Sequence, residues 1–253
     1  MKEISGMKVI EYETVESTQK VARGLLAQGI NCHRVVIIAR EQDGGFGRLN
    51  RKWHSPEGGL WLSAIFQKPI SIQKLRGYSV KYGIHLADFL KDYIELKVRW
   101  PNDLMIDDKK VGGILTEISS IDGKINHLIV GLGLNINISR NDFPEEIANL
   151  ATSLSEELNK QVDFEEVVQN IIEIHSVLFS ILEDKKRTKT SLSNFWQKLS
   201  YTYNKQVEIN VDDKTILGKE IGITDHGELI LELKSGEEEI FSLGEVNLLR
   251  KRE

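Results

Sequence analysis

A single cysteine, Cys32, in 253 residues leaves no internal disulfide and no cysteine-built zinc site. It fits a reducing compartment, and a cytoplasmic protein is expected. Proline is scarce, at 4 residues, and the 20 glycines follow no fixed repeat, which excludes collagen-like classes. No apolar run approaches the ~20 residues of a membrane helix. The opening MKEISGMKVIEYE lacks the apolar stretch of a secretory signal. The histidines His33, His54, His85, His127, His175 and His226 show no metal-ligand spacing, so no dedicated metal site is expected. Neither G-x-S-x-G nor G-x-x-x-x-G-K-[ST] occurs, which leaves a serine hydrolase elbow and a P-loop unsupported. Positive charge is not in excess: 33 Lys+Arg face 38 Asp+Glu, a formal net charge of −5, so a global field for nucleic acid is missing. What is present, 40% hydrophobic and 28% charged residues, is the composition of a soluble globular chain with one large domain or two smaller ones.

Residues 9–12 read as an opening strand, and Thr14 and Ser17 offer N-caps for a helix ending at Gly29. Residues 34–39 and 60–66 are buried strands by length and β-branching, with an aperiodic loop over 40–59 between them. Helical spacing runs over 71–94. Strands are predicted at 97–100, 111–118 and 125–138, the last two joined by a turn at Asp122-Gly123. Asp163 caps a long amphipathic helix over 163–187 that ends in Lys185, Lys186 and Arg187, and a shorter helix spans 191–200. After Tyr203 the pattern changes to short strands at 207–211, 215–223, 228–233, 238–241 and 246–249. They are separated by Asp212-Asp213, His226-Gly227, Ser235-Gly236 and Gly244. This spacing predicts a small β-barrel, with domains over 1–202 and 203–253.

Four features carry chemistry. In GGFGRLNRKW (44–53), Gly44, Gly45 and Gly47 allow close backbone approach, and Arg48, Arg51 and Lys52 follow. An arginine there offers a planar fork for carboxylate or phosphate oxygens, and Trp53 a flat stacking surface. The plainer alternative is a solvated turn beside a core tryptophan. In Arg99-Trp100-Pro101-Asn102-Asp103 the proline ends a strand, placing Asn102 and Asp103 either at a binding edge or in an Asx turn. In KKVGGIL (109–115), a lysine precedes paired glycines, suited to an anion over the sheet or merely solvated. In GLGLN (131–135), Gly131, Gly133 and Asn135 share one strand face, which clears room for a ligand or for a packed element. Separately, these features describe a binder of an anionic, partly flat ligand.

Together and in this order they resemble the biotin protein ligases. The matching pieces are ESTQ (16–19), EQDGGFGRLNRKWHSPEGGLWLS (41–63), WPND (100–103), KVGGIL (110–115) and VGLGLN (130–135). The resemblance implies an α+β fold: a catalytic domain like that of class II aminoacyl-tRNA synthetases, with a mixed sheet and flanking helices, and a C-terminal SH3-like barrel. It implies activation of biotin by ATP and Mg²⁺ to biotinyl-5′-AMP, then transfer to a lysine of a biotin carboxyl carrier protein. It further implies biotin contacts from Ser17, Thr18, Gln19, Gln42, Gly45, Phe46, Gly47, Arg48, Trp53, Lys110, Gly113 and Gly131. The nucleotide would meet Arg48, Arg51, Trp53, Asn102, Lys110 and Asn135. Arg48 would retain the adenylate, Lys110 would stabilise the charge that converges at the reacting carboxylate and phosphate, and Asp103 would orient the carrier lysine.

Two departures stand out. The best-known bacterial loop is G-R-G-R-R-G, whereas residues 45–50 read GFGRLN. Phe46 and Leu49 each replace an arginine, and Asn50 replaces a glycine while tolerating the left-handed region. Some members also carry a helix-turn-helix domain. With about ten residues before the catalytic region, an enzyme without repressor activity is expected. The resemblance further implies a homodimer. The competing readings are a lipoate or octanoate ligase on the same fold, a nucleic-acid module built on Arg48, Arg51, Lys52 and Trp53, and a binding protein that has lost catalysis.

Overall fold

Runs of β-branched and aromatic residues form the strands of a computed structural model that describes residues 2–121, 124–184, 192–211 and 214–249. The turns expected at Asp122-Gly123 and Asp212-Asp213, and the basic helix end at Lys185, Lys186 and Arg187, lie outside the described residues. In chain order, β1 (Lys2–Ile4), β2 (Met7–Val15), α1 (Thr18–Ala27), β3 (Val35–Gln42) and β4 (Gly59–Phe66) come first. Next are α2 (Ile72–Leu75), α3 (Tyr78–Leu90), β5 (Lys97–Arg99) and β6 (Asp103–Ile106). They are followed by β7 (Lys109–Ile121), β8 (Lys124–Asn135), α4 (Leu154–Leu158), α5 (Phe164–Glu183) and α6 (Leu192–Leu199). The last strands are β9 (Gln206–Val211), β10 (Lys214–Ile223), β11 (Leu229–Leu233), β12 (Glu238–Phe241) and β13 (Glu245–Leu248). The chain divides into two compact units, Met1–Lys74 with Ile106–Arg187, and Leu75–Met105 with Thr188–Glu253.

In the first unit the strands run β1-β2-β3-β4-β8-β7. Only the β2–β3 pair among them is parallel, so a crossover is needed, and α1 supplies it. The predicted strand at 9–12 extends to Met7–Val15 because β1 pairs with it across Ser5 and Gly6. Both of these turn residues have positive φ, as a tight two-residue hairpin requires. The apolar side of α1 packs on one sheet face, where Ala22, Val35, Ile37, Ile65 and Ile129 are buried together. Each of these valine and isoleucine side chains contributes about 1.5–3 kcal/mol by burial. On α5, Val168, Ile171, Ile172 and Phe179 are buried, and the Phe179 ring meets Phe66 edge-on at 5.3 Å. Asp163 caps this helix as expected, accepting from the Glu166 amide at 3.1 Å.

In the second unit, β5 and β6 form a hairpin with Arg99 opposite Asp103. The strands β12-β11-β10-β9-β13 form an antiparallel sheet. The expected turns at His226-Gly227, Ser235-Gly236 and Gly244 fall between strands, each glycine at positive φ. The helix predicted over 71–94 is split at Gly77, whose φ of 62° is left-handed. A Cβ there would lie 2.5 Å from the His226 carbonyl oxygen. α3 packs on α6 and α6 on β10, so the expected division near residue 202 falls inside this unit. At its centre, the buried Glu220 carboxylate accepts from Trp196 Nε1 at 2.8 Å, Ser200 Oγ at 2.6 Å and Thr202 Oγ1.

Candidate active site

The start of α1 is a polar cradle. Ser17 is its extended N-cap residue but makes no side-chain capping bond, so it does not act as the predicted cap, and Thr14 lies within β2. The capping role passes to a residue distant in sequence: Gln42 Oε1 accepts from the Thr18 amide at 2.9 Å and from Thr18 Oγ1 at 3.2 Å. Gln42 Nε2 donates to Ser55 Oγ at 2.9 Å. Ser63 Oγ lies 2.8 Å from both Thr18 Oγ1 and Gln19 Oε1, and Gln19 Nε2 donates to Glu117 at 2.9 Å. Ser17, Thr18, Gln19, Ser55 and Ser63 are all buried. Buried polar groups need such mutual satisfaction, so the network fixes each side chain in one orientation.

The loop predicted over 40–59 as structureless is largely ordered. β3 continues to Gln42, and residues 45–53 fold back as a small hairpin. Trp53 N donates to Gly45 O at 2.9 Å and Gly47 N to Arg51 O at 2.8 Å, with Phe46 opposite Lys52. Arg48, Leu49 and Asn50 form the tip. Leu49 and Asn50 have φ of 56° and 57°, the left-handed conformation expected for Asn50. For Leu49 that conformation costs about 1–2 kcal/mol. Gly45 is required at the base: a Cβ would sit 2.5 Å from Ser55 Oγ and 2.8 Å from Trp53 O. Gly45→Ala is expected to weaken the hairpin by about 1–3 kcal/mol. Amide hydrogen exchange at Gly47 and Trp53 reads this directly, and wild-type exchange rates there would contradict it.

The glycine face predicted on β8 is a floor, and in this structure it carries side chains. Gly133 pairs with Gly113 on β7 and with Trp61 on β4, and Gly131 pairs with Leu115 and Ser63. Trp53 lies on the first of these glycine positions: Cβ atoms built on Gly133 and Gly113 would be 2.6 and 3.4 Å from its ring. Gln19 lies 3.1 Å from the Cβ position of Gly131. The Lys110 ammonium stands 4.9 Å from the Trp53 ring centroid. Its main chain is fixed by Lys110 N to Leu150 O at 2.7 Å and Thr152 N to Lys110 O at 3.0 Å. Gly131 and Gly133 are two residues apart on β8, so the polar cradle and the lysine bed lie about 7 Å apart along the strand.

Other predicted residues are placed differently. Asn135, assigned to the nucleotide, is buried and donates from Nδ2 to Thr152 O at 2.8 Å, holding the segment that fixes Lys110. Asn102 and Asp103 belong to the second unit, where Asp103 accepts from Arg99 Nε at 3.1 Å and Nη2 at 2.5 Å. Arg51 flanks the hairpin tip, and a Cβ on Gly47 would meet only the Arg51 carbonyl oxygen, at 4.0 Å. Sequence reasoning missed Ser55, Ser63 and Glu117. A buried serine inside LWLSAIF, and a glutamate on the strand face shared with Gly113, were the available signals.

A polar cradle at a helix start, a glycine-floored bed and an ammonium above it make up the candidate site. The chain belongs to the biotin/lipoate A/B protein ligase family, whose model matches residues 11–135. The biotin protein ligase C terminal domain model matches residues 202–249. The bifunctional ligase/repressor BirA of Bacillus subtilis (strain 168) is 31% identical, over 95% of this chain and 74% of that protein. The biotin--[acetyl-CoA-carboxylase] ligase of Mycobacterium tuberculosis is 25% identical, over 95% and 90%. The solved biotin protein ligase from Aquifex aeolicus in complex with biotin and ATP superposes with a TM-score of 0.78 at 27% identity, covering 96% of this chain and 99% of that one.

Proposed function

We propose that the chain activates biotin with ATP and transfers it to a carrier-protein lysine. A biotin carboxylate oxygen attacks the α-phosphorus of ATP, the bond to the bridging oxygen breaks, and pyrophosphate leaves. The neutral amine of the carrier lysine then attacks the acyl carbon of biotinyl-5′-AMP. The bond to AMP breaks, an amide forms, and the amine loses a proton. Thr18, Gln42 and Ser63 are suited to a ring bearing both donors and acceptors. Lys110 supplies fixed positive charge where the carboxylate and α-phosphate converge. The surroundings of Arg48, Arg51 and Lys110 are cationic, which suits the nucleotide's phosphates, so Mg²⁺ enters as part of the magnesium–ATP substrate. Asp103 stays our candidate for orienting the carrier amine, and Asn102 and Arg51 for the nucleotide. The observation that carries the reading is Lys110 held over Trp53 on the glycine bed, beside the cradle.

Lipoate activation is the second reading, since the family includes both chemistries. The C-terminal domain match over 202–249 favours biotin. Pyrophosphate release is measured with biotin, with lipoate and with neither. Biotin-dependent release with retained biotinyl-AMP supports the proposal, and release with lipoate alone overturns it. Arg48→Gly is expected to leak biotinyl-AMP and biotinylate bystander proteins, and a variant as selective as wild type would remove Arg48 from that role. We further infer a homodimer in the cytoplasm with no DNA partner. The buried Cys32 and the net charge of −5 support the last two, and sedimentation tests the first. Among the described residues no helix is long and apolar enough to cross a membrane.

A further inference from the structure

Phe46 replaces a loop arginine, and the structure gives its ring a cation from elsewhere. The Arg23 guanidinium, on α1, lies 5.3 Å from the Phe46 ring centroid. It is not a loosely placed surface charge. Glu117 on β7 accepts from Arg23 Nε at 2.7 Å and from Nη2 at 2.9 Å, a two-pronged carboxylate clamp. Glu117 is itself fixed from the other side by Gln19 Nε2 at 2.9 Å, and Gln19 belongs to the buried cradle. Around this contact, α1 and the hairpin face each other across an open cleft of about 390 Å³, lined by Lys20, Arg23, Asp43, Phe46, Asn50 and Lys52. The Arg23–Phe46 contact therefore spans the cleft and ties the hairpin, through the residue after its base glycine, to a fixed point on the sheet.

We propose that Arg23 is a positioning residue. Clamped by Glu117, it draws the Phe46 ring toward α1 and sets how long the hairpin stays closed. Building on the ligase reading, this closure sets the residence time of the activated acyl-adenylate, which must be kept from water. The same glutamate fixes Gln19 and Arg23, so the cradle and the latch are coupled through one carboxylate.

Two readouts test this, one independent of any ligand. The hairpin carries tryptic sites at Arg48, Arg51 and Lys52, so limited trypsin digestion of the unliganded protein reports its opening. Arg23→Ala is expected to speed nicking there about two- to fivefold, the ratio that a partly exposed cation–π contact sustains. Phe46→Ala should do the same, and the double variant should be no faster than the faster single one. Glu117→Gln, which loosens the clamp but leaves both latch partners, should fall between wild type and Arg23→Ala. Additive effects of Arg23→Ala and Phe46→Ala, or wild-type nicking in Arg23→Ala, would overturn the latch. In the second readout, preformed biotinyl-AMP is chased with excess unlabelled biotin and ATP. Arg23→Ala should raise the release rate by a similar factor while the rate of pyrophosphate release in a single turnover stays within about twofold, a split that general destabilisation would not give. Unchanged release would overturn the link to residence time. A wild type that forms no biotinyl-AMP would sink the ligase reading and with it that link, while the digestion still decides the latch.

Discussion

Lys110→Ala is expected to slow biotin-dependent pyrophosphate release by about 10²–10³-fold, the loss typical of removing one preorganised donor from developing charge. The expectation rests on how the residue is held. Its amide and carbonyl are both bonded to the segment at Leu150–Thr152, and Asn135 fixes that segment through the Thr152 carbonyl. The alanine variant keeps these main-chain bonds, so thermal unfolding should change little while chemistry is lost. What is removed is the side chain beyond Cβ, with the ammonium that stands over the Trp53 ring. Lys110→Arg should recover only part of the rate, because a planar fork does not place charge at the same point. Pyrophosphate release by Lys110→Ala within threefold of wild type would remove the lysine from the reaction.

The largest expected loss of stability lies in the second unit. Glu220→Ala withdraws one acceptor group from Trp196 Nε1, Ser200 Oγ and Thr202 Oγ1, all buried. Buried donors left unmet cost about 1–3 kcal/mol each, and here they share one site, so about 3–5 kcal/mol in total is expected. Glu220→Gln keeps an acceptor oxygen and should cost less. Burial pushes the Glu220 carboxyl above the ordinary carboxylate range, and the bonds from Ser200, Thr202 and Trp196 draw it partly back. A folded-state value above the unfolded one means that Glu220 stabilises fully below the unfolded value and loses that contribution as pH rises through the folded value. The stability advantage of wild type over Glu220→Gln should therefore shrink from about pH 4.5 upward. Urea unfolding of both proteins at several pH values measures the difference, and a flat difference would refute the shift.

Much of the fold was legible where local chemistry decides it. The β-branched runs gave β3, β4, β7 and β8, Asp163 gave the start of α5, and glycine-bearing turns divided the C-terminal strands. The short helix α4 was not among the predicted elements, although Ser153 accepts from the Glu156 amide in the S-x-x-E pattern of a helix start. Interactions distant in sequence were not legible. The break at Gly77 is fixed by His226, and α3 joins the second unit through α6. At the site, the glycines and cations were visible, but their arrangement was not. Gln42 completes the start of a helix 24 residues away, and Trp53 fills the space that the paired glycines clear. Arg23 and Glu117 are 94 residues apart and meet only because β7 lies in the same sheet that α1 covers. Phe46 read as a lost charge, whereas the fold supplies that charge from α1.

The four tryptophans differ in a way that gives the protein a built-in optical signal. Trp61 donates to the Arg40 and Pro56 carbonyls, Trp100 to Gly227 O, and Trp196 to Glu220. Trp53 alone has a buried indole N–H without an acceptor among the described residues, and it alone lies under an ammonium group. Indole emission responds to hydrogen bonding and to nearby charge. Trp61 belongs to the cluster that Trp53 packs against, so a change in emission colour on adding biotin or ATP is assigned to Trp53 where Trp53→Phe abolishes it. Events on the glycine bed can then be followed in real time, in unlabelled protein, and assigned with the single variant Trp53→Phe.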